Sequence, residues 1–228
     1  LKTSLNNTIK NIKSNEQKKF TQRRLFNVDA KSFEEVEAKY NKAIEMLDSD
    51  VGKLHELLKK EKIWDKTILI ILGDHGLSIS EHEIHIHHAG LYDETIHVPL
   101  IMHIPGIKHK EIYELVQNVD IAPTILELLN QKKIKCDGKS ILPLIKNGKP
   151  IRDKAFSFDG SCGNRWCIQT KEKKLIFSPI KKCLACKAEH CLDAEEYDLL
   201  NDPKELNNLN QSAYSAINFN PNFKLKNT

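Results

Sequence analysis

The chain has 228 residues, 35 Lys and Arg against 31 Asp and Glu, a formal net charge of +4 and a hydrophobic fraction of 40%. That length suffices for one well-cored domain or two small ones. So mild a basic excess excludes a nucleic-acid footprint, and the run "KKFTQRR" reads as a solvated charged face. Apolar runs such as "TILIIL" fall far short of the roughly 20 residues needed to cross a bilayer, so no membrane span is expected. The polar, basic start has no apolar core, so no signal peptide is expected within these residues. Because the chain begins at Leu1 without Met, it reads as truncated at its N-terminus, and its localisation stays open.

Residues 1–32, rich in Asn, Lys and Ser with little apolar periodicity, are expected to form a connector or frayed segment. From Phe33 the apolar positions Val36, Tyr40, Ile44, Leu47, Val51, Leu54 and Leu58 recur every three or four residues. This spacing predicts one long amphipathic helix with a buried face. "TILIIL" and "HVPLIMHI" are unbroken aliphatic runs, the pattern of strands covered on both faces. In "VDIAPTILELLN", Asp120 is placed to cap a helix with Pro123 in its first turn.

These elements are the grammar of an α/β fold: part of a mixed or mostly parallel sheet flanked by helices over residues 33–150. Short strand candidates then follow ("AFSF", "WCIQT", "KLIFS", "EEYDLL"), predicting a small antiparallel C-terminal subdomain over 151–210. Residues 211–228 read as a tail.

Five of the ten histidines fall between Leu72 and Glu94, in "LGDHGLSISEHEIHIHHAGLYDE". Asp74 and His75 directly follow the carboxyl end of a predicted buried strand, where ligands bind in open α/β sheets. A carboxylate beside an imidazole, with Gly76 freeing the backbone to turn, can present an oxygen and a nitrogen to one divalent ion. Asp-His-Gly is also an ordinary exposed turn, and a solvated loop is the plainer reading for His85. "HIHHAG" approaches the metallo-β-lactamase H-x-H-x-D-H signature, but Ala89 and Gly90 stand where Asp and His are needed.

The colinear series "YNKAIEMLDSDVGKLHELLKKEKIWDKTILIILGDHG", "SEH", "HHAGLYDETIHVPLIMHIPG", "VDIAPTILELL", "CDGKSILPLI" and "EEYDLLNDPKELNNL" resembles the C-terminal half of a sulfatase, in the alkaline phosphatase superfamily. The resemblance implies a metal-dependent hydrolase of sulfate esters, with Asp74 and His75 binding the divalent metal. Ca²⁺ is the family's usual ion, while a His nitrogen leaves room for Mn²⁺ or Zn²⁺. His88 falls where the family commonly places Lys on the sulfate oxygens, which gives it a catalytic and substrate-binding role; His82 and His87 are expected to line the same pocket. A phosphodiesterase or phosphonate monoester hydrolase of the same superfamily would share these features, so the substrate is a sulfate or a phosphate ester.

The family's C-x-P-x-R segment, whose Cys or Ser becomes the formylglycine nucleophile, does not occur in these residues. The chain is therefore expected to carry about half of an active site and, alone, to be inactive. Its other motif is of cysteines: Cys162 and Cys167 as C-x4-C, then Cys183, Cys186 and Cys191 as C-x2-C-x4-C. These fit a structural zinc site, disulfides, or buried thiols. A non-catalytic sulfatase-like protein or a zinc-ribbon binding module is the alternative of another class. Nothing in the sequence gives the oligomeric state.

Overall fold

The computed structural model describes residues 7–160, 163–183, 187 and 192–210. Ser14 caps helix α1 (Asn15–Asn27), its hydroxyl accepting from the Gln17 amide at 3.4 Å. Gln17, Thr21 and Leu25, four residues apart, form its buried stripe. The chain turns through Asp29 in the left-handed region, and Ser32 caps helix α2 (Phe33–Lys60). Leu25, Ala30 and Val36 then pack with Ile86 of the histidine loop.

The expectation of a frayed connector thus fails over Asn15–Asn27. The reason is chemical: two of the three buried positions are polar, so hydropathy does not register the stripe. Gln17 Nε2 donates to the Glu83 carbonyl at 3.3 Å, and the Thr21 hydroxyl lies 3.0 Å from His85 Nδ1.

Helix α2 has the predicted length, but Val36 is its one buried residue, whereas Tyr40, Ile44, Leu47 and Leu54 stand exposed. The amphipathic pattern is real, and no described element covers the lower part of the stripe.

Strands β1 (Leu69–Leu72) and β2 (Leu100–His103) pair antiparallel, Leu69 opposite His103 and Leu72 opposite Leu100. Between them the histidine loop ends in one turn of helix, α3 (Asp93–Ile96). The expectation that both strand faces are covered holds for one face only. Leu100, Met102 and Ile104 pack on helices α4 (Ile121–Leu128) and α5 (Leu142–Asn147), while Ile101 is 61% exposed. No parallel neighbour to this pair occurs among the described residues.

Asp120 precedes α4 as predicted, yet its side chain does not cap that helix. Fully buried, it accepts from the Gln117 and Lys139 amides, each at 2.8 Å, and pairs with Arg152. A turn of 3-10 helix (Asn118–Asp120) capped by Gln117 runs straight into α4, moving the cap three residues back.

The C-terminal sheet is antiparallel throughout, in the order β3 (Ala155–Asp159), β4 (Arg165–Gln169), β5 (Lys173–Phe177), β6 (Ala194–Asp198). Burial alternates along β4 to β6, so one face meets the histidine loop. Cys167, Ile176 and Tyr197 from the sheet pack on Ile84, Leu91 and Tyr92. Two cations lie on the same face. Arg165 pairs with Glu195, and Lys174, with no exposed side-chain surface, pairs with Asp93 and with Glu205 at 2.5 Å.

Lys174→Met would strand the buried Glu205 carboxylate and take one partner from the half-buried Asp93. Removing one partner of a buried ion pair costs on the order of 3–5 kcal/mol. A large drop in the urea midpoint is expected, and an unchanged midpoint would mean that the ammonium does not hold the sheet to α3.

Candidate functional site

Asp74 and His75 leave the carboxyl end of β1 through a turn set by Gly76. The Gly76 amide donates to the Thr95 carbonyl at 2.8 Å, and a Cβ added here would lie 2.0 Å from the Glu94 carbonyl oxygen. Only glycine fits, so α3 fixes where the Asp-His pair points. The Asp74 side chain is 91% exposed; its Oδ1 accepts from the His75 amide at 2.9 Å, and its Oδ2 lies 3.8 Å from His75 Nε2. The amide bond and the His75 charge hold the Asp74 carboxyl below the usual range, so it is ionised at neutral pH.

His88 comes from the far side of the loop. Its ring stacks on His75 with centroids 4.4 Å apart, and both border a groove together with Asp74. Burial first, then the His75 and Arg24 charges, push its imidazole down from the ordinary value. The exposed Asp74 carboxylate, the His75 Nε2 and the His88 ring thus meet at one edge. An oxygen and a nitrogen donor at that separation fit one divalent ion.

The other histidines of the loop, His82, His85 and His87, separate from this edge. His87 stacks on His88 at 4.6 Å and on Phe20 at 5.5 Å, and its Nδ1 accepts from the Ala89 amide at 2.8 Å. It is buried behind His88 and does not border the groove. His85, read as solvated, instead stacks on Phe33 at 5.4 Å beside Thr21. His82 does not border the groove either: its ring lies flat on Tyr92 at 3.7 Å, with Nε2 3.5 Å from Glu94 Oε2. The backbone reaches these placements through left-handed conformations at His82, Glu83 and Ile86. For a β-branched residue such as Ile86 that geometry is costly, and it persists where the surroundings enforce it.

Sequence reasoning missed the groups that support this edge. Asp159, at the end of β3, accepts from the Gly90 amide at 2.8 Å, and Arg24 of α1 carries its charge close to His87 and His88. Both lie more than 60 residues from the loop residues they meet, and no local spacing announces them. Of the cysteines, Cys167 is a core thiol that burial pushes up to about 12, the opposite of what a zinc-bound thiolate needs. Cys183 is buried. Cys162, Cys186 and Cys191 lie outside the described residues.

Burial and the neighbouring charges of Arg24 and His88 push His87 down from 6.5 to about 4. Its folded value is depressed, so between those values the unfolded chain binds the extra proton and stability falls as the pH is lowered. Each unit of separation corresponds to about 1.4 kcal/mol. Thermal unfolding of the wild type should lose stability from pH ~6.5 down to ~4, and His87→Gln should flatten that slope. An identical slope in the variant would show that His87 is not held neutral.

The Sulfatase family profile matches residues 6–131, more than half of the chain, and the profile of N-sulphoglucosamine sulphohydrolase, C-terminal, matches residues 81–227. The chain is 27% identical over 207 residues to the multifunctional alkaline phosphatase superfamily protein PehA of Trinickia caryophylli, covering 83% of this chain and 39% of that protein. It is 30% identical over 176 residues to arylsulfatase K of Rattus norvegicus, covering 71% and 30%. The solved phosphonate monoester hydrolase of Agrobacterium radiobacter superposes with a TM-score of 0.61 at 25% identity, over 75% of this chain and 36% of its own. A solved complex with the substrate D-glucosamine-2-N,6-O-disulfate gives 0.58 at 26% identity, over 75% and 35%. The chain spans well under half the length of each of these relatives. With its mixed helices and strands and its colinear motifs, the chain belongs to the sulfatase family of the alkaline phosphatase superfamily.

Proposed function

We propose that the whole protein hydrolyses sulfate esters, and that these residues supply the cation-binding and His88 side of its active site. The observation that carries this reading is the meeting of Asp74, His75 and His88 at the groove edge beyond β1. A divalent cation held there would neutralise charge on the transferred group and lower the pKa of the attacking hydroxyl. Asp74 offers an ionised, outward-facing carboxylate oxygen, and His75 an imidazole nitrogen, a pair compatible with Ca²⁺ and better matched to Mn²⁺ or Zn²⁺. His88 presents a ring N–H to the nonbridging oxygens or to the leaving oxygen. His87 backs His88 through ring stacking and excludes water from that side.

A second reading has specific support. PehA and the phosphonate monoester hydrolase stand beside the sulfatases among the similar proteins, so a phosphate or phosphonate ester is the competing substrate class. Parallel assays of the whole protein on an aryl sulfate, an aryl phosphate diester and an aryl phosphonate monoester separate the two. Turnover of the sulfate well above the others supports the first reading, and the reverse order supports the second.

Asp74→Asn should abolish most turnover while leaving the unfolding midpoint unchanged, because the side chain is exposed and holds no other element in place. Equal loss of folding would mark Asp74 as a structural cap.

His88→Ala should lower kcat by about 10²-fold or more, the usual effect of removing one donor to developing charge. His88→Lys should retain more activity than His88→Ala. An alanine variant as active as the wild type would remove His88 from the site.

A further inference from the structure

The histidine loop holds a second cluster, which the proposed chemistry does not use. One ring nitrogen of His82, one carboxylate oxygen of Glu94 and one of Glu205 all lie within 4.8 Å of one another. His82 comes from the 3-10 turn Glu81–Glu83, Glu94 from α3, and Glu205 from the turn after β6. The His82 side chain is only 9% exposed, and that of Glu205 has no exposed surface.

His82 Nε2 and Glu94 Oε2, 3.5 Å apart, and Glu205 Oε1, which meets the Lys174 ammonium at 2.5 Å, are shut off from water, and none of them makes a hydrogen bond of good geometry. Orphaned buried polar atoms are costly, and charged ones most of all. A ring nitrogen and two carboxylates gathered within 4.8 Å of one another have the form of a ligand set. The ring is already fixed by Tyr92, which lies 6° from parallel to it. The other oxygen of Glu205, Oε2, accepts from the Asp93 amide at 2.7 Å.

Charge points the same way. Asp93, Glu94 and Glu205 place three carboxylates around one ammonium, Lys174, whose contacts are with Asp93 and Glu205. His97 also pairs with Asp93, its Nδ1 3.3 Å from the carboxylate, so it is the charge of Glu94 and Glu205 that a divalent cation would offset.

We propose that His82, Glu94 and Glu205 form a metal site of their own, apart from Asp74 and His75, that takes Zn²⁺ and fastens the histidine loop to the segment after β6. One imidazole and two carboxylates are a three-ligand zinc set with the fourth position open to water, and the nitrogen disfavours Ca²⁺ and Mg²⁺. Zinc bonds of about 2.0–2.2 Å place tetrahedral ligand atoms roughly 3.4 Å apart. His82 and Glu94, at 3.5 Å, already match, so binding draws Glu205 inward. Lys174 keeps Asp93 while the ion shares Glu205.

The test uses the full chain stripped of metal and carrying Asp74→Asn, which disables the other candidate site. Offered Zn²⁺ alone and then dialysed, it should retain one ion per chain by elemental analysis, with a raised thermal midpoint. Co²⁺ in its place should give ligand-field bands without sulfur charge transfer, which distinguishes this site from cysteine ligation. Adding His82→Gln or the nearly isosteric Glu94→Gln should abolish retention and the midpoint shift. Glu94→Gln decides the matter if the His82 variant misfolds, since its metal-free circular dichroism should match the parent. The proposal is overturned if the Asp74→Asn chain retains no ion, if retention survives Glu94→Gln, or if cobalt shows sulfur ligation.

Discussion

The buried cations of the C-terminal sheet set the position of everything at the groove edge. Arg165 and Lys174 are almost wholly withdrawn from water, 2% and 0% exposed. Lys174 reaches Asp93 at the start of α3. Glu195, partner of Arg165, also accepts from the Tyr92 hydroxyl at 2.5 Å and the Tyr197 hydroxyl at 2.7 Å. The sheet therefore grips residues 92 and 93 by charge as well as by the packing of Ile84, Leu91 and Tyr92 on Cys167 and Ile176. Gly76 rests on the next two residues of α3, so the placement of Asp74 and His75 is inherited from an interaction made about a hundred residues later in the chain.

Such pairs are weak as net stabilisers, because desolvation of both charges offsets their attraction. Their value lies in selecting one arrangement. An apolar contact between the sheet and α3 would tolerate sliding, whereas a guanidinium, an ammonium and three carboxylates with their particular partners tolerate little. Glu195 shows how complete the satisfaction is, with Arg165 and both tyrosines on its oxygens. The Lys174 side of the same face is less complete, and there His82, Glu94 and Glu205 gather.

The parts legible in the sequence were those that rest on apolar period and chain order. Helix α2, the two aliphatic strands and the Asp-His pair at the end of the first are local patterns, and the four short C-terminal strands alternate as antiparallel strands do. Helix α1 was not legible, since Gln17 and Thr21 occupy its buried stripe. Asp120 could be seen as a cap but not as the buried partner of Arg152, a contact spanning 32 residues. The histidines were the hardest case. Composition marked the loop as important, yet it could not divide His75 and His88 at the groove from His87 behind them and His82 against Glu94. That division is made by left-handed turns at His82, Glu83 and Ile86, conformations the residue types do not advertise.

The groove edge and the supporting network differ in how their charges meet water. Arg165, Lys174 and Glu195 are buried and committed to protein partners, so they hold structure rather than meet a ligand from solution. Asp74 is the reverse: ionised, 91% exposed, and tied only to the backbone amide and ring of its neighbour. The groove it borders is lined also by Val51 of α2 and by Ile101 of β2, the latter 61% exposed. Apolar surface of that kind around a charged edge excludes water once covered, and a drier edge strengthens every electrostatic contact made there. The fold thus keeps its stabilising charges on one side of α3 and leaves Asp74 and His75 facing a surface whose electrostatic contacts strengthen when something packs against it.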